Sequence, residues 1–420
     1  MTNPKGRYFI SYCRSPRRPG GTQEAVMVHD ALRDRGAPTW RDVDDLDSEP
    51  TEDALVLTLN DSDTAGAVML IAPEVENSPM IRKVESFHIF KRHRTEDTFF
   101  VKPVLIGLDY KQADTVLDNP AGLQSLTDWN QCKLSADHLT ENDANMIARS
   151  VLKSRLKLIV KAAPDKHLDV ALLSRRISGP RLFSLCHDFS PYFEGRSLRD
   201  TGSYHRIESA LIDTATTLTS VHDKISIAGQ GVAALPLGVL YGAVFSPLAG
   251  FRVSWLQRLD EKEDTWSLAT TQSNILLRTE EIMGDPGSED IVLAVSISAN
   301  IQVAVADFVS SSNLRPRASI HTMLDTGPVP QGIALSPQDG LTIVLKTVQS
   351  LRDMKERIGL RRVRLHLFLA CPLAMAVLLG QKLNTISECV LYEHHSERSP
   401  SYIQVHAFNP SNLPTTSNSP

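Results

Sequence analysis

Glu85 closes the segment Ser78-Pro79-Met80-Ile81-Arg82-Lys83-Val84-Glu85, and a carboxylate there can stabilise positive charge, hold hydroxyls or orient a water. At ~4 Å from a developing cation it contributes on the order of 4 kcal/mol at an effective dielectric near 20, roughly a thousandfold in rate. The plain alternative is a solvated helix acid beside Arg82 and Lys83. A second constellation is uncharged. Ile291–Asn300 and Leu365–Pro372 are apolar runs that end in small residues, Ser298 and Ala299 in one, Ala370, Cys371 and Pro372 in the other. A helix that starts after such a strand presents backbone N–H groups to an anion. Other chemistries find little support. The five cysteines, Cys13, Cys132, Cys186, Cys371 and Cys389, form no CxxC pair, so neither a zinc site nor a disulfide framework is suggested. Gly20-Gly21 has no phosphate-loop context, and His88 and His93 lack a metal-ligand pattern.

These residues must be positioned by alternating strands and helices. Tyr8–Cys13, Pro38–Val43, Gly66–Ala72 and Phe99–Leu108 read as strands, with helices over Gln23–Arg35, Thr51–Leu59 and from Ser78, where Ser78 is the N-cap and Pro79 the first helical residue. That alternation predicts an α/β fold with a parallel sheet covered on both faces. Thr140 and Asp143 open a long helix to about Lys161. The predicted organisation is one domain over 1–162 with this trailing helix, a second over 163–410, and a disordered Pro/Ser/Thr/Asn tail over 411–420.

The second half holds a diverged repeat. Ile225–Thr270 and Val363–Phe408 each read strand, helix, strand, polar turn, strand, each after a long amphipathic helix (Ile207–Val221 and Gly340–Ile358). Trp255 and Trp266 in one copy answer Tyr392 and Tyr402 in the other. Residues 225–251 carry no charge, long enough for a bilayer, but five glycines and two prolines favour a buried strand, a glycine turn and a buried helix. The net charge of −5 disfavours a protein that coats DNA. No apolar signal core is visible at the N-terminus, and the scattered cysteines fit a reducing cytoplasm.

Tyr8-Phe9-Ile10-Ser11-Tyr12, the stretch Arg41-Asp42-Val43-Asp44-Asp45-Leu46 after strand two, and Ser78 to Glu85 together resemble the TIR family over about residues 5–135. Ile81 departs from the Trp or Tyr often found at its position. The resemblance implies a flavodoxin-like sheet and cleavage of the nicotinamide–ribose bond of NAD⁺, with Glu85 as the catalytic residue. The nicotinamide ring is already cationic and leaves as a neutral molecule, so no general acid is required. The ribose becomes oxocarbenium-like, as in glycoside hydrolysis. By the same analogy Phe9, Ser11, Arg14, Trp40, Asp45 and Ser78 line the NAD⁺ site. Trp40 either stacks on a ring or packs a strand edge, and Asp45 is otherwise a solvated loop acid.

The ordered set of Ile291–Asn300, Leu365–Pro372, the helix to Gly380 and Val390-Leu391-Tyr392-Glu393 resembles the SAVED family over about 170–410. That family fuses two CARF/Rossmann-like halves and senses cyclic di- or trinucleotides, a history the repeat would record. The resemblance implies a ligand site drawn from Gly229, Trp255, Ser298, Ala299, Ala370, Cys371, Pro372 and Tyr392, with phosphate pairing by Arg199, Arg206 or Lys382. Core packing is the competing role for each aromatic, Cys371 reads as a small pocket or core residue, and His366 as a satisfied strand residue.

Together the resemblances imply a bacterial anti-phage effector of cyclic-oligonucleotide signalling (CBASS). A cyclic oligoadenylate, cyclic tri-AMP favoured, binds the SAVED domain and drives head-to-tail self-association, even a filament, that switches on NAD⁺ hydrolysis. No metal, no cofactor besides the substrate NAD⁺, no DNA and no membrane are expected. The alternatives are a TIR cyclase that makes a cyclic ADP-ribose signal and a non-catalytic TIR scaffold coupled to the sensor.

Overall fold

The computed structural model describes residues 3–14, 20–41, 51–117, 126, 132–134, 137–162, 167–176, 182–195, 197–200, 202–222, 224–259, 262–329 and 335–415. They divide into two compact units, the first comprising 1–171 and 178–187, the second 172–177 and 188–420.

The first unit runs β1 (Arg7–Ser11), α1 (Gly21–Asp34), β2 (Thr39–Trp40), α2 (Thr51–Asn60), β3 (Thr64–Ile71), a 3-10 turn (Pro73–Asn77), a π-helical turn (Met80–Glu85), α3 (Ser86–Thr95), β4 (Phe100–Ile106), α4 (Tyr110–Val116), β5 (Cys132–Leu134) and α5 (Glu141–Ala162). Its sheet has the order β2-β1-β3-β4-β5, every neighbour parallel. This is the flavodoxin-like order, which bends back between β1 and β3. The predicted α/β class with parallel sheets holds. Both faces are covered, as near-continuous apolar strands require. Tyr8 and Ile10 pack under α1 and α5 through Ala25, Val28, Ile147 and Val151. Phe9, Met69 and Ile71 face the other side with Leu55, Ile81 and Ile89.

One buried cation ties this unit together. Arg155 on α5 is fully buried; its guanidinium donates to the carbonyls of Gly6, Lys5, Ser184 and Phe183 at 2.5–3.1 Å and lies 5.7 Å from the Tyr8 ring centroid. The capping pair that opens α5 is present: the Thr140 N–H donates to Asp143 at 2.9 Å and the Asp143 N–H to the Thr140 hydroxyl at 3.2 Å.

The chain passes between units within β6 (His167–Leu173), followed by β7 (Leu185–Asp188). The second unit continues with β8 (Phe193–Glu194), β9 (Ser197–Leu198), α6 (Ser203–Val221), β10 (Ile225–Val232), α7 (Leu235–Val244), β11 (Phe251–Leu259), β12 (Lys262–Ser267), β13 (Leu277–Met283), β14 (Asp290–Ser296), α8 (Gln302–Ser311), β15 (Ala318–Leu324), α9 (Pro337–Arg357), β16 (Arg364–Ala370), α10 (Leu373–Gly380), β17 (Glu388–His394) and β18 (Tyr402–Phe408). A six-stranded sheet has the order β13-β15-β14-β16-β17-β18, parallel in its centre and antiparallel at both ends. In the other sheet β10 lies between β11 and β6, where the end of β6 (172–173) belongs to this unit; β10–β11 is parallel and β11–β12 antiparallel.

The repeat therefore has a physical form: strand, buried helix, strand and an antiparallel edge strand, made twice. Its two helices, α7 and α10, pack on each other through glycine. A Cβ on Gly242 would fall 2.0 Å from the Val377 carbonyl oxygen, and one on Gly380 2.1 Å from that of Val239. This reciprocal contact explains the uncharged stretch at 225–251, whose α7 is buried from Pro236 to Val244. No helix among the described residues is long and apolar enough to cross a membrane. After β18 the chain makes a 3-10 turn at Pro410–Asn412 and buries Leu413; residues 416–420, like 163–166 of the expected linker, lie outside the described residues.

Candidate functional site

In the first unit the crevice of an open α/β sheet belongs outside the strand ends where the order bends back, between β1 and β3. Ser11 ends β1 opposite Met69 and is buried. Beyond it the Cys13 thiol points to the Glu74 carbonyl at 3.6 Å. Glu85 sits on the next turn. Ser78 does stand at the helix start, its hydroxyl accepting the Ile81 N–H at 3.4 Å, but the chain does not then enter a plain α-turn. Ser86 donates its N–H to the Ile81 carbonyl five residues back, and its hydroxyl reaches the same oxygen at 2.6 Å. The extra residue in the turn places Glu85 and Ser86 inward, both buried, while Phe87 is 45% exposed. Single π-turns of this kind frequently mark functional positions. Arg92 secures the helix behind Glu85. Its guanidinium donates to the Leu59 and Asp61 carbonyls at 2.6 and 2.9 Å, pairs with Glu96 and lies over Phe99.

The other expected NAD⁺ residues separate into three groups. Phe9 and Trp40 stack on each other, 5.1 Å between centroids and 14° between planes, but at 1% and 3% exposure they form the core wall shared with Ile81. Of the two roles open to Trp40, packing is the one observed. Arg14 is exposed and donates through Nε to the Tyr12 hydroxyl at 3.2 Å. Asp45, with 42–50, lies outside the described residues.

The second unit has two such bends in strand order. In the six-stranded sheet β15 and β16 flank β14, so the chain leaves β14 and β16 in opposite directions. Here Ser298, Ala299, Ala370, Cys371 and Pro372 come together. The Ile297 and Ser298 N–H groups both donate to the Ala370 carbonyl at 2.8 Å. Ser298 and Ala299 are exposed. The Ser296 hydroxyl, buried, accepts the Ile301 N–H at 3.1 Å and meets His321 Nε2 at 2.6 Å; burial lowers the His321 pKa, opposed by Glu280. Burial pushes the Cys371 thiol up to about 12, in line with a small pocket or core residue. The other sheet repeats the pattern. The Ser174 N–H, after β6, donates to the Val232 carbonyl at 2.9 Å, and position 231, at φ 147°, is glycine because a Cβ there would strike the Leu172 carbonyl.

Both helix starts at these bends are met by a side chain. The Ala374 N–H of α10 donates to Gln257 Oε1 at 3.0 Å, and the Ala234 N–H, just before α7, to the Ser174 hydroxyl at 3.0 Å. Ser174 and Gln257 were missed in the sequence, which carries no local signal for partners 60 and 117 residues away.

Three expected ligand residues have other work. Gly229 is glycine because a Cβ would sit 2.6 Å from the Trp255 ring. Trp255, 1% exposed, packs edge-on against Tyr241 and offers no face to a base. Tyr392 stacks on Phe368 at 4.3 Å, and its hydroxyl meets His366 Nδ1 at 2.7 Å; burial, with Asp290 adding to it, raises its pKa. His366 is the buried, satisfied histidine expected, its Nε2 3.2 Å from Asp290. Arg199 and Arg206 are exposed and Lys382 half-buried. A separate, mainly apolar cavity of about 520 Å³ opens between α8 and the sheet, lined by Val292, Ala294, Val305, Val309, Ile320 and His321.

Residues 210–408 match the family model described as the SMODS-associated and fused to various effectors sensor domain, SAVED. This stretch is a SAVED domain. Solved structures similar to the chain include the Acinetobacter baumannii Cap4 SAVED/CARF-domain containing receptor with the cyclic trinucleotide 3'3'3'-cAAA, at 12% identity over 87% of this chain and 86% of that one with a TM-score of 0.49. The Moraxella osloensis Cap4 receptor is similar at 12% identity and the same coverage, with a TM-score of 0.44. No curated protein matches the chain. The SAVED domain contains the β14–β16 bend and the glycine contact between α7 and α10.

Proposed function

We propose that the chain is a TIR–SAVED effector: its SAVED domain binds a cyclic oligonucleotide, a cyclic oligoadenylate by preference, and that binding switches on NAD⁺ hydrolysis in the first unit. The observation that carries the reading is a sensor domain joined to a unit in which a flavodoxin-like bend is followed by a buried acid, Glu85, on a π-turn. In this reading Glu85 stabilises the ribose as it becomes oxocarbenium-like, and nicotinamide leaves neutral. The exposed loop of Ser298 and Ala299 and the small residues 370–372 admit the ring of the cyclic nucleotide, whose phosphates approach the start of α10. Arg199, Arg206 and Lys382 supply positive charge. Activation runs through self-association. The ligand binds the assembled form more tightly than the free one, since only differential affinity moves an equilibrium.

The test is a panel of cyclic di- and trinucleotides added to the full-length protein with NAD⁺, following nicotinamide release by chromatography and size by light scattering. One ligand should give release together with growth in mass, and Glu85→Gln should abolish the release while keeping ligand binding. Full activity in Glu85→Gln, or release with the protein strictly monomeric, sinks the corresponding half of the proposal. The same chromatogram separates linear from cyclic ADP-ribose.

A further inference from the structure

His205, Glu208 and His406 converge in the second unit, and no local sequence pattern announces it. His205 and Glu208 lie three residues apart on α6, hence on one face of the helix. His406 comes from β18, the edge strand of the six-stranded sheet, which packs beside α6. One ligand atom from each lies within 4.8 Å of the other two. His406 Nε2 and Glu208 Oε2 are 3.1 Å apart, with side-chain exposures of 2% and 20%. The His205 ring stands edge-on to that of His406, 5.1 Å between centroids at 78°. The His406 ring is held by Tyr204, stacked at 5.4 Å and 17°, and runs nearly parallel to Phe408.

We infer that these three side chains form a zinc site that clamps α6 to β18. Two imidazoles and a carboxylate are a donor set that suits Zn²⁺. Zinc ligands sit about 2.0–2.1 Å from the ion, so in a tetrahedron they stand about 3.3 Å apart. The His406–Glu208 pair already has that spacing. Only His205 has to move, by up to about 1.5 Å from the 4.8 Å limit, and it is the exposed member, whose rotamer changes are fast and cheap. The His406–Glu208 half of the site is thus preformed and the exposed His205 closes over the ion. Three protein ligands leave the fourth position to water. The competing account is a buried His–carboxylate hydrogen bond that needs no ion. It explains His406 and Glu208 but gives the second imidazole no part beyond its edge-on contact with His406.

The two accounts part on His205. Full-length, untagged protein is freed of metal with a chelator and titrated with Zn²⁺ by calorimetry and thermal unfolding. The expected result is one ion per chain. A hundredfold excess over Kd should raise Tm by about 5–10 °C. His205→Ala and Glu208→Gln should raise Kd by on the order of a hundredfold or more, while His222→Ala, at the far end of α6, leaves it unchanged. His205 is exposed, so its loss does not threaten the fold as that of His406 would. Unchanged zinc affinity in His205→Ala, or no saturable binding by the wild-type chain, overturns the site. The titration uses neither NAD⁺ nor a cyclic nucleotide, so it stands or falls apart from the proposed effector function.

Discussion

The first unit and the SAVED domain each bend their strand order beside a central strand, at β1–β3 in one and β14–β16 in the other, yet they furnish those places with opposite chemistry. The first places a buried carboxylate, Glu85, on a π-turn that leads into a helix held by Arg92. The second has Ser298, Ala299, Ala370, Cys371 and Pro372, with backbone donors and no ionised side chain among them. The difference matches the role proposed for each. A reaction that creates charge is accelerated by a fixed opposite charge. Recognition of a preformed ring with several phosphates is served by close backbone approach and helix N-termini. Topology fixes where ligands gather; the side chains decide whether anything happens to them.

The sharpest break in that comparison is Glu85→Gln. It keeps shape and removes charge, so nicotinamide release should fall roughly a thousandfold, the equivalent of about 4 kcal/mol, with cyclic-nucleotide affinity unchanged. A fall in ligand affinity of similar size would mean that the carboxylate supports folding or assembly rather than a transition state.

The two regions should also part in acid. His187, in the first unit, is fully buried, its Nδ1 3.0 Å from the Asp34 carbonyl oxygen, and burial holds its pKa down to about 4 against the slight raising effect of that bond. The unfolded chain titrates near 6.5 and so binds the proton first as pH falls. The stabilising effect of the neutral ring is complete above pH 6.5 and is lost progressively toward pH 4, by about 3 kcal/mol in all. Hydrogen exchange over that range should show protection falling in the first unit, and His187→Gln should flatten the fall there. A fall in the first unit that His187→Gln leaves unchanged would remove His187 as its cause.

Much of this was legible in the sequence. Strands Phe251–Leu259 and Glu388–His394 are where their apolar patterns put them, and the Thr140–Asp143 cap reads directly from two residue types at the right spacing. What could not be read is what tertiary packing decides. The π-turn before α3 shows only in the bonds of the Ser86 N–H and hydroxyl to the Ile81 carbonyl. Trp255 is a large aromatic in a ligand-like position, but the absent side chain of Gly229 makes room for it in the core. The repeat, read as two copies, is incomplete without β6 and β14, which look like ordinary apolar strands until the bonds from Ser174 to Val232 and from Ser298 to Ala370 show them as counterparts.

The glycine contact between the repeats offers a smaller break. Gly242→Ala sets a methyl 2.0 Å from a carbonyl oxygen, and α7 and α10 must separate to admit it. The expected loss is about 2 kcal/mol, typical of overpacking in a close-packed core, seen as reduced protection in the second unit alone. Gly287→Ala, where a Cβ meets only an aspartate side-chain oxygen at 3.4 Å, should leave stability within error.

The smallest effect bears on how the uncharged bend takes an anion. Gln257 occupies one first-turn donor of α10 through the Ala374 N–H, the kind of group a phosphate would use. Gln257→Ala removes that cap and should lower stability by about 0.5–1 kcal/mol. If a phosphate competes for the same donor, the substitution relieves the ligand of displacing an amide oxygen, and affinity for a cyclic trinucleotide should rise a few-fold. The two changes therefore run in opposite directions: a less stable domain that binds more tightly. A variant that is less stable and binds more weakly would instead make Gln257 a ligand contact, moving recognition at this bend from the backbone to a side chain.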